Sequence, residues 1–144
     1  MDYKNSVLAS LAGGVVLGII MSFIGGMEAV AGLVGGTSVL VGWIVHLVIS
    51  VLLGLGFGYT LARRVTTGRM GALWAGLLYG FVWYILGPLT LMPLFLGQGI
   101  QWSGAAISGS YTSLIGHLVY GLVLGWTYQR LSGRSTTTGT PVSG

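Results

Sequence analysis

The chain has 144 residues, of which 53% are hydrophobic and 6% charged, with 27 glycines, no cysteine and a mean hydropathy of +0.89. Soluble domains carry about 25% charged residues, so this composition excludes a soluble globular fold and makes lipid the expected solvent. The absence of cysteine removes disulfides, thiolate metal sites and redox dithiols.

Crossing a bilayer core takes about 20 apolar residues at about 1.5 Å each. Four stretches qualify in chain order: roughly Ser6–Gly26, Thr37–Ala62, Gly71–Met92 and Gly109–Tyr128, and none contains Asp, Glu, Lys or Arg. With four crossings the two termini share a side. Lys4, Arg63, Arg64, Arg69, Arg130 and Arg134 then lie together on it, and the opposite loops, 27–36 and 93–108, carry only Glu28. That is a positive-inside pattern with both termini cytoplasmic. It accounts for the net charge of +4 without a nucleic-acid partner. Tyr59, Trp74, Trp126 and Tyr128 fall near the inner boundary, and Trp43, Trp83, Tyr84, Trp102 and Tyr111 toward the outer one, as amphipathic rings prefer.

Residues 132–144, SGRSTTTGTPVSG, are polar and small and predict a disordered cytoplasmic tail. Segment 93–108 is still fairly apolar and is expected to lie along the outer interface.

The chain repeats itself. HLVISVLLG at His46–Gly54 returns as HLVYGLVLG at His117–Gly125, 71 positions later, and Gly14, Gly18 and Gly25 match Gly76, Gly80 and Gly87 at an offset of 62. A counterpart within the bundle assigns span one to the bundle rather than to a cleaved signal peptide. The fold class is therefore all-α membrane protein, with four transmembrane helices arranged as two tandem parallel helical hairpins. The transmembrane domain covers 1–131, with repeat 1 at about 6–64 and repeat 2 at about 69–131. The offset rises across 93–108, so the second repeat holds about nine extra residues there.

Every span carries a GxxxG pair: Gly14/Gly18, Gly54/Gly58, Gly76/Gly80 and Gly121/Gly125. In lipid, close backbone approach over small residues supplies much of helix association. The only two histidines sit on such ridges, His46 among Gly42, Ser50 and Gly54, and His117 among Ser113, Gly121 and Gly125. Residues four apart share a helix face, so both imidazoles should point into the protein at similar depth. They can face each other if spans two and four stand diagonally.

Three readings of the pair follow. Each imidazole is a polar clamp to a neighbouring helix, through a carbonyl or a hydroxyl such as Ser50, Ser113 or Tyr120. Alternatively the two are axial ligands of a haem b or related porphyrin. In the third reading they belong to a proton or solute path. Two histidines are too few for a zinc site, and with Asp2 and Glu28 peripheral no acid orients either of them for catalysis.

The string Gly116–Gly125, GHLVYGLVLG, resembles one in small four-span bacterial membrane proteins loosely similar to the YagU type. The resemblance covers about ten residues of span four and, more faintly, His46–Gly54. It implies a prokaryotic cytoplasmic-membrane protein and no particular activity. The expectation is a non-enzymatic accessory or assembly subunit of a larger respiratory or photosynthetic membrane complex, with other integral membrane subunits, lipid or a second copy as partners. A bis-histidyl haem b protein is the alternative, and a small transporter or channel the third reading.

Overall fold

The computed structural model describes residues 2–61 and 68–135. Helix α1 (Tyr3–Phe23) starts at Asp2, whose carboxylate accepts from the Asn5 amide at 3.1 Å and the Asn5 side chain at 2.6 Å. This satisfies a backbone N–H at the helix start and sets negative charge at the positive end of the dipole. The helix stops just before Gly25, whose φ of +70° costs glycine nothing. Short α2 (Gly26–Gly32) follows, then α3 (Val39–Thr60), capped by the Ser38 hydroxyl on the Val41 amide. Helix α4 (Arg69–Leu86) continues through a π-helical turn, Gly87–Leu91, into α5 (Met92–Phe95). Helices α6 (Gly104–Gly109) and α7 (Tyr111–Ser135) complete an all-helical fold, with no strand among the described residues.

Three helices are long and apolar enough to cross a membrane: α1, α3 and the continuous run Arg69–Phe95. Helix α7 has the length, but Thr112, Ser113, His117 and Tyr120 interrupt its apolar run. The third apolar helix ends later than expected, because the π turn carries it past Met92. The tail expected from 132 also begins too early, since α7 runs to Ser135. Residues 136–144 lie outside the described residues, as do Arg63 and Arg64 of the charge pattern.

The helices are amphipathic in an inverted sense. On α3, Gly42, His46, Ser50 and Gly54 are buried, whereas Ile44, Val48 and Leu52 are more than half exposed. On α4 the buried set is Ala72, Gly76, Gly80 and Tyr84, and Trp74, Leu78 and Val82 point outward. Small and polar residues inside, with large apolar ones outside, are compatible with a membrane environment.

The close helix pairs are α1–α3, α1–α7 and α4–α7. They set a ring order α3, α1, α7, α4 and put α3 and α7 on a diagonal, as the sequence geometry requires for its histidines to meet. In the α4–α7 pair a Cβ on Gly76 would meet the Gly121 carbonyl, one on Gly80 the His117 carbonyl, and one on Gly125 the Ala72 carbonyl. In the α1–α3 pair Gly14 meets Ser50, Gly18 meets Trp43 and His46, and Gly54 meets Ser10. Moving the first helix by 62 residues and the second by 71 turns the contacts Ser10–Gly54, Gly14–Ser50 and Gly18–His46 into Ala72–Gly125, Gly76–Gly121 and Gly80–His117. Of the remaining ridge residues, Gly42 meets the Met27 carbonyl of α2, and Gly58 is buried.

Where a glycine faces backbone, the partner cannot swing aside. Gly121→Val should therefore destabilise the protein by about 1–3 kcal/mol or more, read as a lower unfolding temperature in detergent. Gly104→Val, at a position open to solvent or lipid, should leave it unchanged; equal behaviour of the two variants contradicts this packing.

Candidate functional site: a cavity with two histidines

Helices α3 and α4 are not among the closely packed pairs, and side chains bridge them. The Tyr79 hydroxyl of α4 donates to the Leu53 carbonyl of α3 at 2.6 Å, and Phe57 packs edge-on against both Tyr79 and Tyr128. This aromatic group closes the space between α3 and α4 on the side of their basic ends. Beyond it the two helices part around a cavity of about 270 Å³. Its far end is lined by Val30 and Leu33 of the α2 segment and by Met92 and Phe95 of α5.

The cavity depends on the π turn. Pro88 supplies no amide hydrogen and clashes with the carbonyl four residues back, so the helix widens by one residue instead of ending. The Met92 amide donates to the Gly87 carbonyl, and the Thr90 hydroxyl to the Ile85 carbonyl at 2.7 Å. The outer loop fixes the turn from outside, with Trp102 Nε1 donating to Thr90 Oγ1 at 3.1 Å and the Gln101 amide to the Leu89 carbonyl at 2.9 Å. Gly87 matches Gly25 in sequence but not in conformation, for Gly25 breaks its helix and Gly87, at φ −75°, continues it.

His46 and His117 both line the cavity, together with Ser50, Ser113 and Tyr120. Their roles differ. His46 Nε2 donates to the Gly14 carbonyl of α1 at 2.8 Å, and its ring meets Trp43 edge-on. It is an interhelical clamp of the kind that the sequence suggested, and of the two acceptor types offered there it takes a carbonyl, that of Gly14. His117 makes no such bond to α4. Its Nδ1 donates to the Ser113 carbonyl of its own helix at 2.8 Å, and its ring packs edge-on against Tyr84. That turns Nε2 toward Gly87, where a Cβ would lie 3.8 Å away.

A carbonyl can only accept, so each of these bonds fixes a tautomer. His46 carries its proton on Nε2 and His117 on Nδ1. Among the described residues, the other nitrogen of each ring, His46 Nδ1 and His117 Nε2, has no hydrogen-bond partner. The remaining polar groups are largely spent. Ser50 Oγ donates to the His46 carbonyl at 2.8 Å, and the Tyr120 hydroxyl to the Ser50 carbonyl at 3.3 Å. Ser113 Oγ lies 3.5 Å from His117 Nδ1, which is too long to count as a firm bond.

An apolar cavity of roughly 150 Å³ accepts benzene, so 270 Å³ is room for a substituted ring. No group of three His, Cys, Asp or Glu side chains that could hold a metal ion occurs among the described residues. Sequence reasoning found the histidines and their small-residue ridges but missed Trp83, Met21, Met92 and the π turn as cavity walls. The available signal was Pro88 inside an apolar run, a mark of local helix distortion.

Comparisons with family models, curated proteins and solved structures find no match to this chain.

The unequal bonding of the two imidazoles has a measurable consequence. His46→Ala should lower stability in detergent by about 0.5–1.5 kcal/mol, the usual net worth of such a bond. His117→Ala, which removes only a bond within one helix, should cost clearly less; the reverse order would contradict the assignment.

Proposed function

We propose that the chain is a four-span integral membrane protein of a prokaryotic cytoplasmic membrane, built as two tandem helical hairpins. In this reading it is a non-enzymatic accessory subunit whose work is to bind a small lipophilic ligand between α3 and α4. The matched contact pairs at offsets of 62 and 71 support the duplication. The location of α7 supports a fourth span: flanked by α1 and α4, it needs less apolar surface of its own. The basic residues on one side of the spans support cytoplasmic termini, and the likeness of Gly116–Gly125 to YagU-type proteins points the same way.

The observation that carries the binding function is the cavity with its two unpartnered imidazole nitrogens. Unpaired polar atoms inside a membrane protein are costly, and a hydrogen-bond donor on a bound ligand would satisfy both nitrogens. The ridge glycines Gly14, Gly18, Gly54, Gly76, Gly80, Gly121 and Gly125 are all occupied by the protein's own helices. A partner subunit would therefore meet the outward Ile, Val and Leu faces, and the specific chemistry stays with the cavity.

Organic extraction of the purified full-length protein, followed by mass spectrometry, tests this. Wild type should retain one lipophile enriched over the bulk lipid of the preparation. Gly87→Leu and Ile49→Phe, which fill the cavity, should lose it while keeping normal unfolding temperatures. Identical lipid profiles for wild type and both folded variants would overturn the reading.

A further inference from the structure

The polar atoms of the cavity specify what can occupy it. As neutral imidazoles of fixed tautomer, His46 and His117 offer two acceptors, Nδ1 and Nε2, and no donor. Ser50 and Tyr120 have committed their hydroxyl hydrogens to backbone carbonyls, so Ser113 is the one lining hydroxyl without a firm acceptor. A ligand headed by a ketone, ether or ester would set its acceptors against the two imidazole lone pairs and find a free donor only in Ser113. No carboxylate lines the site, so a cation would be buried without counter-charge, at high cost. The group that fits is a neutral hydrogen-bond donor.

Size and shape narrow the ligand further. A volume of about 270 Å³ accommodates one ring with substituents. Trp83, Tyr120 and Phe95 provide aromatic walls, and aromatic partners favour a flat ligand. The separation of α3 from α4 leaves a lateral way out toward lipid for an alkyl or isoprenoid tail.

We infer that the ligand is a hydroquinone with an apolar tail, whose two hydroxyls donate to His46 Nδ1 and His117 Nε2. This rests on the cavity-binding reading above and concerns binding alone, with no electron or proton transferred. It has a redox corollary: the reduced form of a quinone couple binds more tightly than the oxidised form, whose oxygens only accept.

The test uses the full-length protein in phosphatidylcholine nanodiscs under anaerobic calorimetry, titrated with 2-decylhydroquinone, 2-decylbenzoquinone and 1,4-dimethoxy-2-decylbenzene. The hydroquinone should bind roughly tenfold or more tightly than the other two, the scale of two hydrogen bonds gained. His117→Phe is the diagnostic variant, because His46 also holds α3 to α1. It should reduce the hydroquinone preference by roughly three- to tenfold and leave the affinities of the quinone and the diether nearly unchanged. Equal binding of all three ligands would overturn the hydroxyl assignment while leaving cavity binding intact. Binding of none would also overturn it, and the extraction experiment would then decide separately whether a lipophile of another kind occupies the cavity.

Discussion

Backbone contact between helices, made through glycine, is the interaction on which the rest of this structure depends. In lipid the outward side chains are as apolar as their surroundings, so burying leucine gains little and close packing must supply the cohesion. Ile44, Val48, Leu52, Trp74 and Leu78 accordingly face outward, and the interior goes to glycine, serine and a few aromatic rings. At Gly76, Gly80 and Gly125 the space a Cβ would need is taken by a carbonyl of the neighbouring helix. Such contacts also bring Cα–H groups to carbonyl oxygens, a weak but recurrent attraction.

The same constraint creates the site. Once α1–α3, α1–α7 and α4–α7 are drawn together, the ring can close on its fourth side only through large side chains. Tyr79, Phe57 and Tyr128 do this at one end. Toward the other end the π turn at Gly87–Leu91 shifts the wall of α4 outward, and the cavity opens there. Helix π turns recur at functional sites because they break a regular register to redirect groups. His117 Nε2 lies beside this turn, 3.8 Å from where a Cβ on Gly87 would stand. Its counterpart His46 is held to Gly14, whereas the equivalent carbonyl on α4, that of Gly76, is left to the α4–α7 backbone contact and His117 turns to its own helix. His46 and His117 thus carry their protons on opposite ring nitrogens.

Much of this was legible in the residues. Four-residue spacing of Gly, Ser and His identified the inward faces of α3 and α7, whereas the contact pairs related by 62 and 71 residues emerge only in the fold. Periodicity and small size are local properties, and glycine in lipid has few other uses, so these signals survive translation into three dimensions. The cavity was not legible, because it depends on where two non-adjacent helices fail to meet. The choice of acceptor was hidden too: a sequence shows the hydroxyls of Ser50, Ser113 and Tyr120 as obvious partners, but a carbonyl laid bare by Gly14 looks like any other peptide. Pro88 was the one local clue to the π turn. A proline in an apolar run fits a kink, a helix end or a widened turn equally well, and only the loop bonds from Gln101 and Trp102 select among them.

The central claim is that the cavity presents two bare acceptor nitrogens because its histidines are locked in different tautomers. Nitrogen-15 NMR of histidine-labelled protein in lipid bilayers tests this directly, since the chain contains only His46 and His117. The account predicts two neutral imidazoles at neutral pH, one protonated on Nε2 and the other on Nδ1, with the Nε2-protonated signal lost in His46→Gln. Two imidazoles in the same tautomer, or either ring protonated on both nitrogens, would contradict it.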